Sequence, residues 1–105
     1  MPYVDKSDRE YLEKALVELE TDMRDMKASA GSLTGVGILN YAITRLVSSW
    51  FDNQPRRYHD YNAAIGVLEC AKQELYRRMV APYEDVKCEQ NGDVYDIPMV
   101  SKSEE

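Results

Sequence analysis

Apolar residues recur along the first third of the chain at alternating spacings of four and three positions. This spacing places side chains on one face of an α-helix, so it predicts an amphipathic helix. Ser7 and Glu10 have the spacing of a capping box, which predicts that the helix begins at Ser7. The apolar face consists of Leu12, Leu16, Leu19, Met23 and Met26.

A second apolar face follows a stretch rich in small residues. Residues 28–37 contain three glycines and two serines, which predicts the end of the first helix and a flexible connection. A second helix is expected from Val36 or Gly37 to about Phe51, with few charges. Its broad apolar face consists of Leu39, Ile43, Leu46, Val47, Trp50 and Phe51.

Proline residues mark the expected limits of a third helix. Pro55 closes a break over residues 52–55, and a helix is expected over residues 58–80 until Pro82 ends it. Its apolar stripe is interrupted by Lys72. The stripe consists of Tyr61, Ile65, Leu68, Leu75 and Met79.

The C-terminal part contains Asn91-Gly92, a dipeptide favoured in two-residue hairpin turns. This turn would place Cys88 opposite Tyr95 and Val86 opposite Ile97 on one face, as the period of a strand requires. The sequence therefore predicts an all-α fold, a small three-helix domain with a C-terminal β-hairpin or extended segment. Residues 1–97 are expected to form a single helical domain, and residues 98–105 a disordered tail.

Charge and composition exclude several partner classes. The net charge of -6 repels polyanions, so nucleic acid is not expected as a partner. No apolar run approaches the roughly 20 residues that span a bilayer, so no membrane role is expected. Two cysteines and a start without signal-peptide features predict a cytoplasmic protein with free thiols.

Candidate catalytic groups are sparse. The i, i+3 pairs Glu10/Glu13 and Asp22/Asp25 resemble the Mg²⁺-binding pairs of all-α nucleotide pyrophosphohydrolases, but both pairs lie on one helix. The only histidine, His59, is not expected to share a helical face with its neighbour Asp60. The sequence therefore predicts no catalytic residue, metal site or cofactor, and the metal-dependent hydrolase is kept as an alternative.

Polar, cationic and phenolic side chains suggest a binding surface instead. Charged groups beside an apolar stripe are costly to bury unless they pair, so they form a structural network, such as Arg45 with Glu69, or line a recognition surface. Tyrosine and arginine are enriched at protein interfaces, and this chain has eight tyrosines. The basic pair Arg56-Arg57 precedes the third helix, so the helix dipole does not explain it. The predicted partner- or ligand-binding residues are Arg45, Glu69, Lys72, Tyr76, Arg77 and Tyr83.

Four segments of the chain match a known pattern. They resemble a family of short uncharacterised proteins of phages, prophages and bacteria. The segments are LNYAITRL at 39–46, GVLECAKQELYRR at 66–78, APYED at 81–85 and NGDVY at 91–95. The resemblance covers most of the chain, and the motif at 66–78 is its most specific part. It implies common ancestry and no established activity. The chain departs from the pattern in its longer glycine-rich segment and after Tyr95.

These observations favour a non-enzymatic, phage-type accessory protein that acts by binding, as a homo-oligomer or through a protein of the host. An oligomeric sponge that sequesters a nucleotide signal is an alternative, because tyrosine stacking with arginine pairing suits a base and a phosphate together. A metal-dependent hydrolase is a further alternative.

Overall fold

A computed structural model describes residues 2–51 and 55–96, except for the side chains of residues 32 and 33. All regular secondary structure in these residues is helical, which confirms the all-α class. The elements are α1 (Lys6–Ala30), α2 (Ser32–Trp50), α3 (Tyr58–Leu75), a π-helical turn (Tyr76–Val80) and α4 (Ala81–Asn91).

The chain divides into two compact units, Met1–Leu68 and Glu69–Glu105, and the boundary falls within α3. The assignment of residues 1–97 to one domain stays a prediction. The predicted tail, residues 98–105, lies outside the described residues. In the described parts of the chain, none of the helices has the combination of length and apolar composition needed to span a bilayer.

Helix α1 begins one residue earlier than predicted, and its capping box is absent. Asp5 occupies the N-cap position, and no side chain caps the helix there. The backbone oxygen of Asp5 accepts the first helical hydrogen bonds, from the N–H groups of Asp8 and Arg9 at 3.0 and 3.1 Å. The Arg9 Nε also donates to the oxygen of Val4 at 2.8 Å. Ser7 therefore lies inside the first turn, and the capping-box prediction is wrong.

The connection between α1 and α2 is a single glycine. Gly31 has φ 90° and ψ 167°, and α2 begins directly after it at Ser32. The N–H of Gly31 donates to the oxygen of Lys27 at 3.1 Å, and its own oxygen accepts from Gly35 at 3.0 Å. The prediction of a flexible connection over residues 28–37 is wrong, because only one residue in this stretch leaves the helical region.

Helices α1 and α2 pack against each other. Half-buried positions at helical spacing on both helices form the seam: Leu19, Met23, Gly35, Ile38 and Ala42. A Cβ at Gly35 would lie 2.8 Å from Cγ of Lys27, so the absence of a side chain there permits the close approach.

Replacing Gly31 with alanine is expected to destabilise the α1–α2 pair. An L-residue pays about 1 to 3 kcal/mol for this combination of φ and ψ. The urea midpoint of Gly31→Ala should fall accordingly. Gly66→Ala is the matched control, because Gly66 lies within α3 and a Cβ added there would have nothing within 4 Å. It should gain about 0.5 to 1 kcal/mol from helix propensity. Equal midpoints for the two variants would contradict this account of Gly31.

Pro82 does not end the helical run. A proline inside an α-helix lacks the N–H and its ring collides with the carbonyl four residues earlier. A π-helical turn lies just before Pro82. In it the N–H of Ala81 donates to the oxygen of Tyr76, five residues back, instead of four as in an α-helix. Pro82 then lies in the first turn of α4, where its missing N–H is not required. The predicted stop at Pro82 is therefore wrong.

The predicted C-terminal hairpin is not confirmed. Its first strand, which contains Val86 and Cys88, belongs to α4, and the opposing residue Ile97 lies outside the described residues. Asn91 is the last residue of α4, and Gly92 follows with φ 91° and donates its N–H to the oxygen of Cys88 at 2.9 Å. The Asn-Gly pair is therefore a helix C-cap, a role for which glycine is also preferred.

Very few side chains are buried. Among the described residues only Ala64, which is 8% exposed, falls in the buried class. In the same unit the Phe51 ring lies half-buried, with its centroid 5.5 Å from that of Tyr61. The large apolar side chains that the structure describes remain at least partly accessible on every helix, so they offer surface to a partner.

Candidate functional site

Three of the six predicted binding residues lie together in the second unit. Glu69, Lys72 and Tyr76 line one groove of about 460 Å³. Their spacing of three and four residues places them on one face of the continuous helix that joins α3 to the π-helical turn. The other lining residues are Gln73, Leu75 and Val80.

The polar groups of this groove pair along their own helix. The Glu69 carboxylate lies 3.5 Å from Nζ of Lys72 and accepts a hydrogen bond from Nε2 of Gln73 at 3.4 Å. Both charged side chains of the pair are more than half exposed. Such a pair contributes little to stability and leaves both charges available to a partner. Tyr76 adds a phenolic ring that is 57% exposed.

The other three predicted residues do not line this groove. On α2, Nη1 of Arg45 donates to the hydroxyl of Tyr41 at 2.7 Å, and the guanidinium lies 5.7 Å from the Tyr41 ring centroid. In the π-helical turn, Arg77 bonds to the Glu74 carboxylate at 3.0 Å. On α4, Tyr83 lies beneath the ammonium of Lys87, 5.7 Å from its ring centroid. Arg45 and Glu69 thus each have a partner on their own helix.

A second cavity of about 580 Å³ lies between α4 and the residues that follow it. Cys88, which is half-buried, lines it together with Asp85 and Asp93. Burial raises the pKa of the Cys88 thiol above its ordinary value, and the carboxylate of Asp93, followed by that of Asp85, raises it further. The thiolate is therefore disfavoured, which is the opposite of what a nucleophilic cysteine requires.

Replacing Asp93 with asparagine should make Cys88 more reactive. The substitution removes a negative charge, so the pKa of the thiol falls and its thiolate fraction at pH 8 rises. Asparagine can retain the bond that Asp93 Oδ1 accepts from the N–H of Tyr95 at 2.9 Å. Alkylation of Cys88 by iodoacetamide, followed by peptide mass spectrometry, should be faster than in the unmodified chain. Cys70 in the same sample serves as the control, and equal acceleration at both thiols would contradict the assigned cause.

A third cavity, of about 660 Å³, lies where α2 ends and α3 begins, and the sequence did not predict it. Within it, Nε2 of His59 lies 3.1 Å from Asp60 Oδ1, so the expectation that these neighbours face apart is wrong. Asp60 Oδ2 accepts the N–H of Arg57 at 3.0 Å, while the N–H of Asp60 donates to the oxygen of Arg57 at 3.0 Å. This reciprocal pair fixes the first turn of α3. The sequence signal was the basic pair before the helix, next to an aromatic pair at the end of α2.

The acidic pairs on α1 do not form a metal-binding cluster. Within residues 2–51 and 55–96, no three histidine, cysteine, aspartate or glutamate side chains lie close enough to share a metal ion. Glu10 lies in a shallow surface depression with Ser7, Asp8 and Tyr11. This arrangement offers no support for the metal-dependent hydrolase.

A family model described as a domain of unknown function, DUF6899, matches residues 1–94. The chain belongs to the DUF6899 family. Neither the curated proteins nor the solved structures contain a significant match. The match extends over both units up to Val94, so it includes the groove of Glu69, Lys72 and Tyr76. Membership in DUF6899 carries no activity with it, so the functional argument rests on the residues themselves.

Proposed function

We propose that this DUF6899 chain is a non-enzymatic binding protein that works as an assembly of identical copies joined through α2. The observation that carries the proposal is a row of apolar side chains on this helix, Val36, Leu39, Ile43 and Leu46, which we name the α2 stripe. These side chains are between 42% and 66% exposed. Their spacing of three, four and three residues is that of a coiled-coil seam.

The distribution of charge favours a second copy as the occupant of the α2 stripe. The whole chain carries a net charge of -6, so two copies repel each other over most of their surface. Helix α2 contains no acidic residue, and its only charged residue is Arg45. Arg45 is held by Tyr41, and neither residue belongs to the stripe. Two negatively charged copies can therefore approach most closely along α2.

The residues beside the α2 stripe also suit a close helix–helix contact. On the side away from α1 lie Gly37, Asn40 and Thr44, which are small or uncharged. The hydroxyl of Thr44 donates to the backbone oxygen of Asn40 at 2.8 Å, which satisfies it within the helix. Nothing lies within 4 Å of a Cβ at Gly37, so a partner helix has room there.

The α2 stripe supplies about half of the area that a stable dimer buries. Four half-exposed aliphatic side chains present on the order of 400 Å² per copy, and a stable interface buries about 800 Å² per partner. The remaining area would have to come from the flanking positions on α2. At about 25 cal/mol per Å² of apolar area, burial of the stripe in both copies is worth roughly 20 kcal/mol before the cost of association is subtracted. Apolar area of this size favours association of a second copy but does not set the affinity.

The groove of Glu69, Lys72 and Tyr76 is the surface that we assign to a protein partner. It combines an exposed phenol with one acidic and one basic group, a mixture typical of interface anchors with a polar rim. Arg77 and Tyr83 extend the recognition surface along the π-helical turn and α4. The phage-type accessory role and the cytoplasmic location implied by the sequence are part of this proposal, and both cysteines are free thiols, in agreement with a reducing compartment.

Light scattering after size exclusion tests the proposal. The chain has a mass of 12.1 kDa. We expect a mass of two or more chains that persists on dilution into the low micromolar range. A mass equal to one chain at every concentration would refute self-assembly and would leave the groove on the second unit as the remaining binding surface.

A further inference from the structure

The cavity at the junction of α2 and α3 has a chemistry that self-assembly does not explain. It lies wholly within the first unit and holds about 660 Å³, a volume typical of small-molecule sites. Cationic and aromatic groups both line it. The lining residues are Trp50, Phe51, Pro55, Arg56, Arg57, His59 and Asp60.

The two guanidinium groups of this cavity are available to an anion. Among the described residues, neither Arg56 nor Arg57 has a carboxylate within 4 Å of its guanidinium. The described lining residue that carries a carboxylate is Asp60. One of its oxygens contacts His59 and the other accepts the backbone N–H of Arg57. The described residues that line the cavity thus include two arginines and one aspartate, on a chain whose net charge is negative.

The aromatic groups differ in how much of each ring is already covered. The guanidinium of Arg56 lies 4.9 Å from the ring centroid of Phe51, so it covers one face of that ring. Trp50 meets Phe51 at a centroid distance of 5.3 Å in an edge-to-face arrangement. Trp50 nevertheless remains 59% exposed. Its indole is thus a large ring in the cavity with surface left for stacking.

We infer that this cavity binds a nucleoside monophosphate, with the phosphate on Arg56 and Arg57 and the base stacked on Trp50. Arginine pairs present fixed donor geometry to phosphate oxygens, and the indole stacks any base because every base has a π-face. A lone phosphate would leave most of the volume and the indole unused. A long nucleic acid strand would meet the repulsion of the remaining negative surface. The arginine contacts are independent of the α2 stripe, whereas Trp50 lies one turn after Leu46 and continues the helical face of that stripe.

Fluorescence of Trp50 tests the inference directly, because it is the only tryptophan in the chain. Adenosine monophosphate should quench this fluorescence in a saturable manner. Adenosine and inorganic phosphate, added separately, should each bind at least tenfold more weakly, since each lacks one half of the ligand. Inorganic phosphate that binds as tightly as the nucleotide would refute the stacking role of Trp50. Adenosine that binds equally tightly would refute the arginine contacts.

A paired substitution separates the site from general charge effects. Arg56→Gln combined with Arg57→Gln should weaken binding of adenosine monophosphate at least tenfold, with unchanged helical content by circular dichroism. Lys14→Gln combined with Arg24→Gln removes the same charge from α1 and should change binding less than twofold. Equal losses in the two double variants, or no saturable quenching in the unmodified chain, would overturn the inference. Tighter binding of a phosphoserine peptide than of the nucleotide would assign the cavity to a modified protein segment instead.

Discussion

Ile43→Asp is expected to convert the assembled chain into single copies. Ile43 is the least exposed member of the α2 stripe, at 42%, and it lies between Leu39 and Leu46. In a two-helix contact its carboxylate would be removed from water without a cationic partner, at a cost of about 3 kcal/mol or more. That cost corresponds to a rise in the dissociation constant of more than about a hundredfold.

Sedimentation velocity over a series of concentrations measures this change. Ser48→Asp is the matched control, because Ser48 is an exposed residue of the same helix and lies outside the α2 stripe. It adds the same charge to α2 and should leave the assembly intact. If Ile43→Asp sediments as the unmodified chain does, or if Ser48→Asp dissociates equally, the α2 stripe is not where copies meet.

Ala64→Asp is expected to cause a large loss of stability. Ala64 is the one described residue in the buried class. A carboxylate at this position would be buried without a partner, which costs about 3 kcal/mol or more. For a chain of this size that cost lowers the melting temperature by more than about 10 °C.

Thermal unfolding followed by circular dichroism tests this expectation. Ala63→Asp provides the control, because Ala63 is exposed and precedes Ala64 in the same turn of α3. It places the same charge on the same helix with its solvation retained, so its melting temperature should change by only a few degrees. Similar melting temperatures for the two variants would show that Ala64 lies at no packing contact of importance.

Periodicity predicted the helices well because the spacing of apolar residues is a property of the sequence alone. The stripe from Leu12 to Met26 and the stripe that contains Ile65 both lie on helices of the structure. The predicted helix boundaries were wrong where one residue type occurs in two kinds of structure. The glycines of residues 28–37 suggested a loop, yet only Gly31 has a positive φ, and Gly35 serves the approach of α1 to α2.

Two further signals were ambiguous for the same reason. Asn91-Gly92 suits a hairpin turn and also a helix C-cap, and in the structure the preceding residues form α4 with Gly92 as its cap. Pro82 stops an ordinary α-helix, but the π-helical turn before it changes which carbonyl lies near the ring. A rule that assumes hydrogen bonds between residues four apart could not anticipate a hydrogen bond between residues five apart.

The candidate site was predictable where it depends on one helix only. Glu69, Lys72 and Tyr76 lie one turn apart, so their common groove follows from spacing. The cavity of Trp50 and Arg57 was missed, because it depends on how the end of α2 faces the start of α3 across a break in the helices. The relative direction of two helices does not follow from the residue spacing within one helix.

Hydrogen–deuterium exchange of the unmodified chain at two protein concentrations tests most directly whether a second copy covers the α2 stripe. The account predicts that amides of residues 36–46 are strongly protected at high concentration and lose that protection on dilution below the dissociation constant, while α4 amides change little. Protection of α2 that is the same at both concentrations, in a chain that light scattering finds to be a single copy, would contradict it.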